Sequence, residues 1–196
     1  MAIPPHQLDK INSVQELFHK LDDEIKTFKS KTSLGCVNGC GRCCETPAVF
    51  VTVLEVLPLA YELWNNGQAP AILEKINSDR KGWCIFYELD PLVAGKGRCH
   101  VYPWRPLICR LFGYSAKKDK YEQPVFVTCQ TMKDHCASEY AATVDKLSAG
   151  TLEAPAMQQY AMQVLNIDPS LGTEQLPINQ AIATAIEKIG LLLREE

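Results

Sequence analysis

The chain is organised around the stretch Cys36-Val-Asn-Gly-Cys40-Gly-Arg-Cys43-Cys44, in which four of its nine cysteines fall within nine residues. Thiolates placed two to four residues apart on a turning backbone can converge on a soft metal ion or on an iron–sulfur cluster. The glycines between them allow the positive φ values that such turns need and let backbone amides approach sulfur. The stretch therefore predicts a metal site without identifying the metal.

The composition of the 196 residues narrows the class of protein. A hydrophobic fraction of 46% suffices for one domain with a buried core, and a net charge of −3 lacks the basic excess of a nucleic-acid or membrane-surface binder. No apolar run reaches the length of a membrane-spanning helix, and the first residues lack the layout of a secretory signal. We therefore expect a cytoplasmic protein that binds neither nucleic acid nor membrane. In that compartment an odd number of cysteines favours metal ligands over disulfides.

The spacing of apolar residues predicts helices on both sides of the cysteine-rich region, with short strands inside it. One of these helices has a clear start signal, because Thr52-Val-Leu-Glu55 has the form of a capping box. The predicted helices cover residues 5–30, 52–65, 69–78, one or two turns after 107, 136–149, 155–165 and 177 onward. The predicted strands cover residues 47–51, 84–87, 99–102 and 125–129, and a basic loop is expected at 117–120.

These elements predict a mainly α fold with short β strands, in which a single domain holds a cysteine-rich metal-binding core between helices. We divide the chain into three parts. Residues 1–33 form an N-terminal amphipathic helix, residues 34–135 a cysteine-cluster metal-binding region, and residues 136–196 a C-terminal helical region packed on it.

Further cysteines in turn- or strand-rich sequence extend the candidate ligand set. Cys136 is left out because it lies on the apolar face of a predicted helix, where core packing is the simpler explanation. His100 and His135 adjoin cysteines, but we interpret them as hydrogen-bonded structural residues. The predicted metal ligands are Cys36, Cys40, Cys43, Cys44, Cys84, Cys99, Cys109 and Cys129. They suffice for one centre or for two.

The predicted ligands include one adjacent pair of cysteines, and three arginines lie close to them in the sequence. Cys43 and Cys44 are adjacent, and neighbouring side chains diverge, so we expect one of them to serve a second site or to lie behind the first. Arg42, Arg105 and Arg110 lie among the thiols, where we expect them to offset the negative charge of the thiolates. Binding of an anionic substrate is the alternative role for the arginines.

The spacing Cys36-x3-Cys40-x2-Cys43 is also that of radical S-adenosylmethionine enzymes, in which three cysteines hold a [4Fe-4S] cluster. Such enzymes continue as a long alternating βα barrel with glycine-rich cofactor-binding turns. This sequence soon becomes helical instead, and Cys44 and the later cysteines would be surplus. The radical-enzyme interpretation is therefore disfavoured.

Taken together, the motifs resemble the YkgJ-type cysteine-cluster proteins, which are described as zinc- or iron-chelating domains. The resemblance covers roughly residues 34 to 135. It rests on the stretch from Cys36 to Cys44 and on Gly82-Trp-Cys84, Gly97-Arg-Cys99-His-Val-Tyr102 and Arg105-Pro106-x2-Cys109-Arg110. It implies that these cysteines and the two arginines match the family's positions, with Cys129 at a less regular one. Cys84 is followed by Ile-Phe where many relatives have Pro-Phe.

A relative of that family, the flagellin lysine methylase, carries a similar cysteine pattern and is described as holding an iron–sulfur cluster. The resemblance implies a metal-binding protein that holds an iron–sulfur cluster, with [4Fe-4S] favoured, or zinc, in a redox or maturation role. Two alternatives remain open: a metal-dependent protein-modifying enzyme of methyltransferase type, and a zinc-stapled adaptor that binds an unknown protein partner. No catalytic residue is assigned, and no separate segment for binding a methyl donor is recognisable.

Overall fold

The computed structural model describes residues 3–93 and 96–193, and it confirms the mainly α fold with short antiparallel strands. The helices of this part of the chain are α1 (Pro5–Thr32), α2 (Val53–Asn65), α3 (Ala69–Ser78), α4 (Leu107–Leu111), α5 (Gln130–His135), α6 (Ala137–Ser148), α7 (Met157–Ile167), α8 (Pro169–Gly172) and α9 (Ile178–Leu192). The strands are β1 (Phe50–Thr52), β2 (Tyr87–Leu89), β3 (Gly97–Cys99), β4 (Ser115–Lys118), β5 (Pro124–Val127) and β6 (Gln175–Pro177).

The main core lies between α2 and α9, with α1 and α7 packed alongside. Both central helices are strongly apolar, and side chains such as Leu54 on α2 and Ile186 on α9 are fully buried. The indole N–H of Trp64 donates to the carbonyl of Ile186 at 2.8 Å. Gly190 leaves room for that ring, since a Cβ there would lie 2.6 Å from it. The two helices therefore form a rigid frame that contains none of the nine cysteines.

The predicted capping box at the start of α2 is confirmed, and it does more than cap the helix. One carboxylate oxygen of Glu55 accepts the backbone N–H of Thr52 at 2.9 Å, while the Thr52 hydroxyl accepts the N–H of Glu55. The other carboxylate oxygen accepts the N–H of Leu107, the first residue of α4, also at 2.9 Å. Burial raises the pKa of Glu55, and these hydrogen bonds oppose the rise. One buried side chain thus fixes the starts of two helices.

The strand predicted at 47–51 is found slightly later, as β1, and it pairs antiparallel with β6. The sequence did not predict β6. The N–H of Ile178 also donates to the carbonyl of Val49, so that the first residue of α9 is fixed against the segment before β1. This pairing joins the entrance of α2 to the entrance of α9.

A second, smaller core lies next to the C-terminal end of α1 and contains Phe28, Leu34, Met132, Leu147 and Leu152. The β4–β5 hairpin covers it, with the Phe126 ring 5.7 Å from that of Phe28. The prediction of a basic loop at 117–120 is wrong in part, because residues 117 and 118 belong to β4 and pair with β5. The segment predicted to form one helix from residue 136 is preceded by a separate helix, α5.

The strands around Cys84 and Cys99 are shifted from their predicted positions. Residues 84–86 form a turn, the first strand begins at Tyr87, and the second ends at Cys99 instead of beginning there. The chain then enters a 3-10 turn at Tyr102–Trp104. The two cysteines consequently lie at the same end of the β2–β3 hairpin, since Tyr87 pairs with Cys99. Within the described ranges, no helix combines the length and apolarity needed to cross a membrane.

Candidate metal centre

The cysteine stretch begins where α1 ends. Ser33 adopts a left-handed conformation, with φ of 58°, and its N–H donates to the carbonyl of Lys29, which closes the helix. The N–H of Cys36 then donates to the Tyr114 hydroxyl at 3.0 Å. Gly39 provides a turn at φ of 73°, and the stretch closes in a 3-10 turn over Arg42–Cys44. The glycine predicted to turn the backbone does so at this position.

The β2–β3 hairpin and the turn before it lie directly on this stretch. The N–H of Gly97 donates to the carbonyl of Gly39 at 2.8 Å, and the N–H of Cys84 donates to the carbonyl of Cys44 at 3.4 Å. These backbone contacts hold the two cysteine-bearing segments together independently of any side-chain ligand.

Tyr87 is the side chain around which the hairpin and the stretch meet. A Cβ added to Gly41 would lie 2.0 Å from its ring, and one added to Gly97 would lie 2.5 Å from it, so that the ring requires glycine on both sides. Its hydroxyl donates to Glu45 at 2.8 Å. Burial and that carboxylate raise the pKa of Tyr87. Tyr87 is not among the residues predicted from the sequence, and Gly41 and Gly97 are the signal for it in the sequence.

Four of the predicted ligands, Cys43, Cys84, Cys99 and Cys109, form what we call the inner set. They come from the 3-10 turn, the turn before β2, the end of β3 and helix α4. Burial raises the pKa of Cys84 to about 11 and also raises the pKa values of Cys99 and Cys109. The charges of Cys99 and Cys43 also raise the pKa of Cys84, the charge of Cys43 raises that of Cys99, and the charges of the other three raise that of Cys109. The inner set is thus a group of mutual neighbours.

Backbone amides lower the pKa values of two of these thiols. The N–H of Phe86 opposes the rise in the pKa of Cys84, and the N–H of Val101 does the same at Cys99. In both cases the amide lies two residues after the cysteine. Hydrogen bonds from backbone N–H groups stabilise thiolates and are a common feature around metal-bound sulfur.

Cys44 lies beside the inner set. A hydrogen bond from its thiol to Cys43 lowers the pKa of Cys43 to about 6, and the same bond raises the pKa of Cys44. The charges of Cys84 and Cys109 also act on it.

The remaining predicted ligands, Cys36, Cys40 and Cys129, form an outer set. Burial raises the pKa of Cys36, followed by the charges of Cys40, Cys43 and Cys129. The sulfur of Cys129 accepts the N–H of Met132 at 3.3 Å and thereby caps α5. Cys43 is therefore the residue that neighbours both sets.

Cys136, which is predicted to pack in the core, also contacts the start of the cysteine stretch. It packs against the smaller core but lies at the junction of α5 and α6 rather than within a helix. Its thiol donates to the carbonyl of Gly35 at 3.7 Å, directly before Cys36. The helical spacing of apolar residues continues across this junction, so the sequence pattern does not predict the interruption between α5 and α6.

The arginines have different roles. Arg105 donates to the carbonyls of Tyr102 and Cys109, each at 3.0 Å, and its charge opposes the rise that burial causes in the pKa of Cys109. It therefore offsets thiolate charge, as predicted. Arg110 is only 3% exposed, pairs with Asp22 on α1 and donates to the carbonyls of Pro103 and Arg105. Its role is to fix the 102–106 turn against α1.

The two histidines lie in exposed positions. His100 is paired with Glu88 across the β2–β3 hairpin, and His135 lies in the last turn of α5. Across residues 3–93 and 96–193, no three His, Cys, Asp or Glu side chains converge closely enough to hold one metal ion. The thiols of the inner set are neighbours in the fold without meeting at a single point.

Comparison with curated proteins and with solved structures finds no match. The sequence does match the CxxCxxCC family, whose description is "Putative zinc- or iron-chelating domain", over residues 35–137. This match confirms the resemblance seen across residues 34 to 135, and it spans all nine cysteines and more than half of the chain. The likeness to flagellin lysine methylase stays a prediction. The chain belongs to the CxxCxxCC family of zinc- or iron-chelating domains.

Proposed function

We propose that this protein holds a metal centre on the inner set, Cys43, Cys84, Cys99 and Cys109, and that the centre is a [4Fe-4S] cluster. One observation carries the proposal: the turn and hairpin end that carry Cys84 and Cys99 lie directly against the stretch that carries Cys43, where the N–H of Cys84 donates to the carbonyl of Cys44 at 3.4 Å. Four cysteine thiolates are the ligand set of a cubane cluster and also of structural zinc. The family description agrees with either metal.

The sequence around the thiols favours a cluster over a single ion. A zinc ion draws four sulfurs to about 2.3 Å from one point and would serve structure alone. Glycine-rich loops let backbone amides donate to sulfur, and such hydrogen bonds tune the potential of a cluster. Gly35, Gly39 and Gly41 lie in or next to the stretch that carries Cys43.

The surroundings of the inner set suit electron transfer. The amides of Phe86 and Val101 and the charge of Arg105 stabilise negative charge on sulfur, and such groups tune the potential of a cluster. When bound, a cluster would supply one-electron chemistry. We therefore propose a redox or maturation role. All nine cysteines are free thiols, which fits the reducing cytoplasm that we propose as its compartment.

The test is quantitative analysis of iron, acid-labile sulfide and zinc on protein purified without oxygen. About four iron and four sulfide per chain support the cluster, and about eight of each would add a second cluster on the outer set together with Cys44. A colourless protein with one zinc per chain would overturn the cluster and leave a structural metal. A protein that takes up neither metal would overturn the proposal altogether.

A further inference from the structure

A groove next to the inner set carries an excess of positive charge. It has a volume of about 270 Å³ and lies between α1 and the segment from Tyr102 to Tyr114. Its charged lining side chains are Lys26, Lys29, Arg105, Arg110 and Asp22. Four cations and one carboxylate thus face a single concave space.

One of these cations is already neutralised. Arg110 pairs with Asp22, and its Nε and Nη2 donate to the carbonyls of Arg105 and Pro103. All three of its nitrogens are therefore engaged in holding the wall of the groove. The pair contributes no net charge, which leaves Lys26, Lys29 and Arg105, the last of which also faces the thiols of the inner set.

Arg105 is fixed in place by two of its three guanidinium nitrogens. Its Nε donates to the carbonyl of Tyr102 and its Nη1 to that of Cys109, each at 3.0 Å, and the group stacks 3.5 Å from the Tyr102 ring. Within the described ranges, its Nη2 has no hydrogen-bond partner. A guanidinium held in this way can bind an oxyanion without losing further side-chain freedom.

The two lysines complete the positive wall. Lys26 and Lys29 are three residues apart on α1 and therefore share a face. Among residues 3–93 and 96–193 neither forms an ion pair with a carboxylate. The Lys29 ammonium lies 5.2 Å from the centre of the Tyr114 ring, whose hydroxyl accepts from Cys36. The groove thus adjoins both cysteine sets.

We propose that this groove binds a small oxyanion, a carboxylate or a phosphate, between Arg105 and the lysines Lys26 and Lys29. Two lysines without a carboxylate partner among the described residues and one arginine around a concave space of this size suit a compact anion of one or two charged groups. The Nη2 of Arg105, which has no partner in the described part of the chain, supplies a donor, while its Nη1 donates to the carbonyl of Cys109. A bound anion would therefore lie beside the inner set, in the position of a substrate or regulator.

Isothermal titration calorimetry on the purified protein tests this site, with inorganic phosphate and succinate as probes at constant ionic strength. Binding of phosphate alone identifies a phosphoryl ligand, and binding of succinate alone identifies a carboxylate. The double variant K26A/K29A should weaken binding about tenfold. The control K20A/K31A makes the same charge change on exposed positions of α1 outside the groove and should leave the affinity unchanged.

Two results would overturn the proposal: neither probe binds, or the control weakens binding as much as K26A/K29A does. R105K is a second variant, which keeps the charge but removes the planar fork, and it should also bind more weakly. Metal content measured on the same samples separates the groove from the metal centre. Anion binding by a chain that takes up no metal would overturn the metal centre alone.

Discussion

The carboxylate of Glu55 accepts the backbone N–H of Leu107 across 52 residues of sequence, at 2.9 Å. Glu55 belongs to the buried start of α2, and Leu107 begins the helix that carries Cys109. The position of one inner-set thiol is therefore set by a side chain of the helical frame.

Glu55→Gln should lower both the stability of the fold and its metal content, because Glu55 holds the starts of α2 and α4. The amide retains one accepting oxygen but its NH2 group cannot accept from Leu107, so that one buried N–H is left unpaired. We expect the free energy of unfolding to fall by about 1–3 kcal/mol in urea titrations. Metal content should fall as well, because α4 loses its fixed start. Glu74→Gln, at an exposed position of α3, is the matched control and should change neither quantity. Equal stability of the two variants would contradict the proposed link.

Gly41→Ala should displace Tyr87 and the hairpin that carries it. A Cβ would lie 2.0 Å from the ring, whereas one at Gly35 would meet nothing within 4 Å. We expect Gly41→Ala to lower stability by about 1–3 kcal/mol through overpacking, and Gly35→Ala to change it little. Combining Gly41→Ala with Tyr87→Ala removes the clash, so the cost of the alanine at position 41 should shrink in that background. An unchanged cost would show that the ring is not what the glycine accommodates.

Loss of metal should loosen the cysteine region and spare the helical frame. In the metal-loaded protein, Cys99→Ser should lose most of the metal, whereas Cys136→Ser should retain it. Amide hydrogen exchange should then show faster exchange over residues 84–99 in Cys99→Ser or after chelation, with α2 and α9 still protected. Equal metal content in the two serine variants would contradict the ranking of ligands.

Acid should weaken the contact between α1 and α8. Lys10 pairs with Asp168 at 2.6 Å, and this hydrogen bond, with those from Ser170, lowers the pKa of Asp168 to about 2 from 3.8. A lowered pKa in the folded state stabilises the fold above pH 3.8, and this contribution disappears as the pH falls toward 2. Asp168→Asn should therefore be less stable than wild type at pH 6 and approach it near pH 2. Asp23→Asn, on the exposed side of α1, should follow the wild-type curve.

The sequence predicted those parts of the fold that depend on local pattern. The helix at 69–78 has the predicted bounds, and the Thr52–Glu55 capping box forms as expected. In contrast, β6 has three residues and exists through pairing with a strand more than 120 residues earlier, which leaves no local signal. Helix α5 was missed because its cap is the sulfur of Cys129, and cysteine is not among the preferred N-cap residues.

The candidate site was predictable in its chemistry but not in its arrangement. Cysteine spacing identified the thiols, since few other roles suit so many of them in one chain. Their division into an inner and an outer set depends on where the β2–β3 hairpin folds back onto the stretch, through contacts such as that between Gly97 and Gly39. The packing of the Tyr87 ring against Gly41 and Gly97 also depends on contacts between separate segments. Neither arrangement can be predicted from the spacing of the cysteines.

The pairing of β1 with β6 has a consequence for the order of assembly. Because β1 leads directly into α2 and β6 into α9, the two central helices are joined at their entrances without any cysteine taking part. The cysteine segments lie before and between these junctions, as loops attached to a frame that closes by itself. We therefore expect the helical frame to form before metal binds, so that an incoming metal would first meet Cys36 and Cys43, whose side chains are exposed.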